Sequence, residues 1–581
     1  MIVNKISVMI GGEAGAGITR SGFLFAKVCL RGGLHVFGTS DYQSLIRGGH
    51  NFYVVRADAE EIYSQTDAID VLLALNKETF HLHRDELVSG GGILCDGEEL
   101  GLTDRSLGRD DLKLYSVPLK RFVEELNGAL IMRNTVALGA VVALLSYDLE
   151  ILNGVIRDTF KPKVAILNVK AAKMGYDYAR EHYAADFDYR LEGRSSAGKQ
   201  KIFLTGNEAV GLGAVRAGCR FFAAYPMTPA TPLLHFMAPL NREYGMIVVP
   251  AESEIAAINM VAGGSFAGVR TMTATSGGGF CLMSEGLGMT GMTETPVVVM
   301  LAQRPGPSTG LPTYSGQGDL RFAIHASQGE FPRLIIAPGD VEECFYKTME
   351  AFNLAEKFQI PAILITDKYL VESHGETEPF DQSKIQVDRG LLLIEDEYTG
   401  EEEYRRHKIT ENGVSLRAMP GTKGTIVRTN ADEHNESGYT TEDPELTAKM
   451  VDKRFRKVDA LIKDLENYET VKLYGHEEAD VTIVGWGSTK GPIREAMKLL
   501  LQEGLKTNYL QIIYLDPFPV ANVRKVLNST KTTVVVENNK TSQLSSLIRQ
   551  HLLMPVNHKI LKYDGRPFNP GKLSQRIKEV L

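Results

Sequence analysis

Residues 201–232, KIFLTGNEAVGLGAVRAGCRFFAAYPMTPATP, decide the fold. KIFLT is an apolar strand running into Gly206. NEAVGLGAVRAG is a helix with small residues along one face. FFAA is a second apolar strand, and Pro226 stops it. The theme then repeats in IVVPAESEIAAINMVAGGSFAG, TMTATSGGGF, PVVVMLAQRP, RLIIAPG and PAILITD. Short apolar runs without polar alternation suit strands covered on both faces, as in a parallel sheet flanked by helices. The pattern closes near Phe380, and we expect an α/β domain over 200–385.

Upstream, a strand at Ile6–Ile10 meets the glycine turn GGEAGAG (Gly11 to Gly17), and a helix follows from Thr19 to Leu30. This is the start of a parallel α/β unit. Further strands are expected at Asn51–Arg56 and Ile69–Leu75, and a small-residue helix at Asn134–Leu145. We place this first domain at 1–190. Residues 184–200 lose periodicity and read as a linker. Downstream, 386–470 is an excursion, expected to hold a hairpin and then a helix over Glu445–Leu465. Leu446, Met450, Phe455, Val458, Leu461, Ile462 and Leu465 lie near one side of that helix. From 471 to 581 the α/β pattern returns in VTIVGWGSTKG, YLQIIYLDPFP and TTVVVENNK. No short-period repeat is present.

The chain has 581 residues, 43% of them hydrophobic and 23% charged, with a formal net charge of −8. That charge argues against non-specific nucleic-acid binding, which rests on phosphate neutralisation. No apolar run reaches the ~18 residues a membrane-spanning helix needs. The N-terminus begins like a strand and lacks the features of a signal peptide. Cys29, Cys95, Cys219, Cys281 and Cys344 form no CxxC pair, which disfavours a disulfide scaffold, a zinc ribbon and a ferredoxin-type cluster run. The cysteines are expected to be packed as small apolar residues, in a cytoplasmic protein.

Four stretches carry the chemistry. Gly12, Gly15 and Gly17 leave backbone N–H groups able to meet an anion, or serve only a tight turn. Arg47, in RGGH, offers a cation on a flexible turn. In YPMTPATP, prolines hold Thr228 at the end of a strand, where ligands bind in open parallel sheets, unless that threonine caps the next helix. In PAESEIAA, Glu252 and Glu254 head an apolar helix; the helix dipole alone favours acids there, but a desolvated carboxylate needs a partner or a task. Spacing does not decide between the two. Finally, TATSGGGF and the irregular loop AQRPGPSTGLPTYSGQGDL bring Arg304, Ser308, Thr309, Thr313 and Gln317, an inventory suited to a small carboxylate.

At these motifs the chain resembles the 2-oxoacid:ferredoxin oxidoreductases. GNEAVGLGAVRAG, YPMTP, PAESEIAA, TATSGGGF, RPGPSTGLPT and GEFPR resemble the family's thiamine diphosphate pyrimidine-binding domain. GGEAGAG, RGGHN, VLLALN and RNTVALGA resemble its Rossmann-like gamma domain, although the glycine loop departs from the commoner GxGGQG form. VGWGSTKG, YLDPFP and VVVENN resemble a transketolase C-terminal-like domain. Gamma fused ahead of alpha is the arrangement of 2-oxoglutarate:ferredoxin oxidoreductase alpha subunits. The resemblance implies that Glu254 contacts the pyrimidine ring of thiamine diphosphate at N1′ and favours its imino tautomer. It also implies that Tyr225, Pro226, Ser276 and Gly277 border that cofactor. Thr228, Arg304 and Thr313 would hold the 2-oxoacid, and Gly12, Gly15, Gly17 and Arg47 would face coenzyme A or another anion. No residue is assigned to a metal. The chain lacks the GDG…Asn motif for diphosphate and Mg2+ and any cysteine cluster for a [4Fe–4S] centre. A beta subunit is therefore expected to bring both, in an (alpha–beta)2 heterotetramer that passes electrons to ferredoxin. The expected reaction is oxidative decarboxylation of 2-oxoglutarate with coenzyme A, or the reverse carboxylation of succinyl-CoA. Pyruvate, branched-chain 2-oxoacids and arylpyruvates are alternatives within the class. A transketolase-like or non-oxidative decarboxylase component and a non-catalytic scaffold or nucleotide-sensing subunit are the alternatives outside it.

Overall fold

In the computed structural model, residues 1–45, 48–183, 186–193, 201–476 and 478–581 are described. They form two units. The first comprises Met1–Leu204 with Ser373–Pro379 and Asn569–Gly571, and the second Thr205–Glu372, Phe380–Phe568 and Lys572–Leu581.

The first unit is built on an eight-stranded sheet. Its order is Lys113–Ser116, Leu87–Cys95, Ile69–Ala74, Lys5–Glu13, His50–Asp58, His35–Tyr42, His374–Thr377 and Ile202–Thr205. Lys5–Glu13 pairs parallel with Ile69–Ala74 but antiparallel with His50–Asp58, which in turn pairs antiparallel with His35–Tyr42. The sheet is thus mixed, where the sequence suggests a parallel one. The reason is the connection at 43–49, which is too short for the crossover that parallel neighbours need. Helix α1, Ile18–Arg31, follows the glycine turn and buries Leu24, Phe25, Val28 and Cys29. The late helix runs over Arg133–Leu144, and its Gly139 lies against the Ala172 carbonyl of the helix Pro162–Tyr183.

The expected linker is corrected. Phe187, Tyr189 and Leu191 are buried, and Tyr189–Arg190 pairs with Ile2–Val3. Alternating apolar residues there find a strand partner that lies far off in sequence. Residues 184–185 and 194–200 of the same stretch fall outside the described residues.

The second unit holds a seven-stranded sheet in the order Ile247–Pro250, Phe221–Ala224, Thr271–Thr275, Val298–Gln303, Ala362–Asp367, Leu334–Ile336 and Tyr514–Asp516. All pairings are parallel except the last. Helix α2, Glu254–Phe266, and helix α3, Gly277–Met292, follow two of these strands. A five-stranded sheet completes the unit: Val471–Gly475, Thr507–Ile512, Val481–Gly485, Thr533–Glu537 and His558–Leu561. YLQIIYLDPFP is therefore two strands rather than one. Its first half lies in the smaller sheet, and Tyr514–Asp516 adds to the edge of the larger one.

The excursion carries isolated bridges, of which His434 with Thr440 is antiparallel, in place of a regular hairpin. Helix α4, Pro444–Asp464, is present, and of its expected apolar side Met450, Leu461 and Leu465 are buried, but Phe455 and Ile462 are not, and three cationic residues are buried beside them. Met450, Lys453, Arg454, Lys457 and Leu461 are buried, while Val451, Phe455 and Ile462 are exposed. The cause is Glu294, a buried carboxylate that accepts from Lys453 Nζ at 2.6 and 2.8 Å, pairs with Lys457 and accepts from His407 Nδ1 at 3.0 Å. Four cysteines are buried as expected of small apolar residues, but Cys281 is exposed on α3. Among the described residues no helix is long and apolar enough to cross a membrane.

Candidate active site

The chemistry-bearing residues of the second unit gather beyond the carboxyl ends of adjacent parallel strands, where ligands bind in open α/β sheets. Tyr225 to Thr228 follow Phe221–Ala224, Glu254 follows Ile247–Pro250, Ser276 and Gly277 follow Thr271–Thr275, and Arg304 follows Val298–Gln303.

Burial separates the two glutamates. Glu252 is exposed, whereas Glu254 is 3% exposed. Ser253 caps α2, accepting from Ala256 N–H at 3.2 Å, so Glu254 occupies the first helical position and turns inward. It lies against the first turn of α3, where a Cβ on Gly279 would stand 2.5 Å from Glu254 Oε1. Among the described residues, Glu254 Oε1 has no hydrogen-bond partner, and neither do the buried Ser276 Oγ and Thr313 Oγ1. A buried polar atom without a partner is costly, so Glu254 Oε1 and Ser276 Oγ, both at the first turn of α3, suit a ligand there.

Arg304 is half-buried and donates from Nη1 to the Thr228 carbonyl at 2.9 Å. Burial alone lowers its guanidinium pKa, and among the described residues no carboxylate lies within ion-pair distance of it. A cation held this way is ready for an incoming carboxylate. Thr228 does not cap the following helix, whose N-cap is Ala230. Tyr225 and Pro226 are exposed at the rim.

Asp319, not singled out in the sequence, also belongs here. It lies against Gly277, its Oδ2 has no partner, and burial pushes its carboxyl up to about 6. Its only signal was an acid before the apolar helix Leu320–His325. Beside the site, α2 and α3 expose Ile255 and Leu282 and flank a groove of about 490 Å³ lined by Ile258, Gly286, Met289 and Phe331.

In the first unit, Gly15 and Gly17 have φ of 87° and 77°, which only glycine adopts readily. Gly12 is needed for packing, since a Cβ there would meet Ile18 at 2.9 Å. The Ala14 and Ala16 N–H groups are satisfied by the carbonyls of Gly49 and Glu13. Asn134 donates to the Ala16 carbonyl at 2.7 Å and steadies the loop. Arg47 lies outside the described residues.

Comparison with known proteins decides the family. The 2-oxoacid:ferredoxin oxidoreductase 2 alpha subunit of Aeropyrum pernix is 33% identical to the chain over 99% of the chain and 98% of its own length. The chain belongs to the 2-oxoacid:ferredoxin oxidoreductases, as an alpha subunit of the fused gamma–alpha type. Family patterns agree along this alpha subunit. Residues 7–178 match pyruvate ferredoxin/flavodoxin oxidoreductase. Residues 212–453 match the pyruvate flavodoxin/ferredoxin oxidoreductase thiamine diphosphate-binding domain, and residues 479–573 match pyruvate:ferredoxin oxidoreductase core domain II. The 2-oxoglutarate synthase subunit KorA of Methanothermobacter thermautotrophicus is 35% identical to the alpha subunit over 65% of this chain and 98% of its own. A solved structure of 2-oxoglutarate:ferredoxin oxidoreductase from Magnetococcus marinus, with 2-oxoglutarate, coenzyme A and succinyl-CoA bound, superposes with a TM-score of 0.90. It is 35% identical and covers 99% of both chains.

Proposed function

We propose that this alpha subunit serves a cytoplasmic, thiamine diphosphate-dependent 2-oxoglutarate:ferredoxin oxidoreductase, with coenzyme A as acyl acceptor. The observation that carries the reading is the buried Glu254, whose Oε1 has no partner among the described residues, at the same sheet end as Arg304, which among them has no carboxylate within ion-pair distance.

The residues present fit the aminopyrimidine of thiamine diphosphate. Glu254 Oε1 needs a hydrogen-bond partner, and Gly279 keeps the helix clear so that the carboxyl can lie there. Ser276 Oγ offers a further unpartnered group, and Tyr225 and Pro226 form the outer rim. When bound, the cofactor supplies the nucleophilic carbon and the electron sink for decarboxylation. Glu254 would hydrogen-bond ring N1′ through Oε1 and so favour the ring's imino tautomer. Arg304 binds a carboxylate of the 2-oxoacid through donors not used on Thr228. Thr313 Oγ1, from the irregular loop, and Thr228, whose carbonyl holds Arg304, orient the substrate oxygens. The apolar strand ends and the prolines exclude water, which strengthens each polar contact.

A beta subunit completes the site. It brings the diphosphate and Mg2+ ligands and a [4Fe–4S] cluster, seats on the apolar face of α2 and α3, and forms an (alpha–beta)2 heterotetramer that reduces ferredoxin. The unit carrying Gly12, Gly15 and Gly17 receives coenzyme A. The test is a substrate panel on the complex co-purified with its partner, read by ferredoxin or viologen reduction. 2-Oxoglutarate should give the highest kcat/KM. A panel led by pyruvate, a branched-chain 2-oxoacid or an arylpyruvate reassigns the substrate, and no 2-oxoacid turnover at all contradicts the function.

A further inference from the structure

The motifs GWGSTKG and VVVENN, in the domain from 471 to 581, take no part in the chemistry above, yet the structure attaches both to the loop that carries Thr313. Gln317, in that loop, is fully buried. Each of its polar atoms is bonded to the last domain. Its N–H donates to the Asn538 carbonyl at 2.8 Å, and its Oε1 accepts from Asn538 N–H at 3.0 Å. Its carbonyl accepts from Asn539 Nδ2 at 3.2 Å, and its Nε2 donates to the Trp486 carbonyl at 2.9 Å. The grip extends to both sides. Ser315 N–H donates to the Gly565 carbonyl at 3.0 Å, and Gln543, on helix α5 (Gln543–Leu552), donates from Nε2 to the Gly318 carbonyl at 2.7 Å. Tyr314 stacks under Arg566, 3.8 Å from its ring centre.

The stretch from Arg304 to Gly318 has no helix or strand of its own. Without ladder bonds, a loop's position is set by whatever its polar groups reach. Here Ser315 Oγ donates to Asp367 at 3.0 Å, and other long-range bonds of the loop, beginning with Ser315 N–H two residues after Thr313, reach the last domain. We propose that the 471–581 domain sets the affinity of the 2-oxoacid site by holding the substrate loop through Gln317, a positioning residue. The proposal rests on the reading that Arg304 and Thr313 hold the 2-oxoacid. A side chain displaced by even an ångström loses much of its contribution to a bound geometry, which makes such a clamp a determinant of substrate affinity and not merely of stability.

The test uses the complex co-purified with its partner and the 2-oxoacid that the unaltered complex turns over best. Gln317→Ala should raise KM about tenfold while kcat stays within about threefold. Gln543→Ala removes the bond to Gly318 together with those to Thr541 and Arg321 and should raise KM about threefold. Amide hydrogen exchange over residues 311–319 should quicken in both variants. The proposal is overturned if exchange quickens while KM stays within about twofold in both. It is equally overturned if KM is unchanged and kcat falls only in proportion to unfolded enzyme. Glu254→Gln, measured alongside, reports on the underlying reading separately. Full turnover in that variant sinks the site assignment, whereas lost turnover there with an unmoved KM in Gln317→Ala sinks only the clamp.

Discussion

At residue scale, the proposed site rests on the buried Glu254 and on Arg304, which is half-buried and has no carboxylate within ion-pair distance among the described residues. Arg304→Lys keeps the charge but loses the planar fork, and should raise KM for the 2-oxoacid by about 10- to 100-fold with a smaller change in kcat. Steady-state kinetics of the complex checks this. Asp319 makes a pH prediction. Burial raises its carboxyl from the ordinary aspartate range to about 6, so it favours the folded state while protonated. That contribution is present below pH ~4 and is lost as pH rises through ~6. Asp319→Asn should therefore match the unaltered chain near pH 4 and exceed it in stability at pH 8 by roughly 1–2 kcal/mol. Urea midpoints at the two pH values measure the difference. Spacing left Glu252 and Glu254 level because they are only two positions apart. What separates them is a cap at Ser253 and a helix start, a matter of one residue at a boundary that sequence patterns locate poorly. Asp319 was hidden for a similar reason, since an acid before a helix has a routine explanation.

At element scale, the parallel core of the second unit was legible because its apolar strands lack alternation and end in glycine or proline. Helix α4 was not. Its apolar periodicity is real, but Lys453 and Lys457 are drawn inward by Glu294, 159 positions from Lys453, and no local pattern reports such a partner. Burial lowers Lys453 to about 7, and the neighbouring Lys457 adds to that lowering while Glu294 opposes it. Among the described residues, Glu294, His407 and His434 also have ligand atoms within 4.8 Å of one another, but two ammonium groups on the same carboxylate oppose a metal cation there. The network predicts an asymmetry. Glu294→Gln leaves buried ammonium groups uncompensated and should cost about 3–5 kcal/mol, whereas Lys453→Met leaves Glu294 paired with Lys457 and should change stability by no more than about 1 kcal/mol. Equilibrium unfolding of the two variants distinguishes them. The mixed sheet of the first unit was unreadable for another reason: strand direction depends on connection length, and periodicity carries no direction.

At the scale of the whole molecule, the proposed function makes the chain one half of a site. It has a buried carboxyl, a cation with no ion-pair partner among the described residues and apolar helix faces beside them, and its sequence lacks both the diphosphate motif and a cysteine cluster. The isolated chain should show no 2-oxoacid-dependent reduction of viologen, and addition of its partner subunit should restore it. The most direct measurement is the turnover of the co-purified complex carrying Glu254→Gln, with thiamine diphosphate content and assembly checked on the same sample. The account predicts a fall in kcat of about 100-fold or more in an intact complex. Turnover within about twofold of the unaltered enzyme would contradict it.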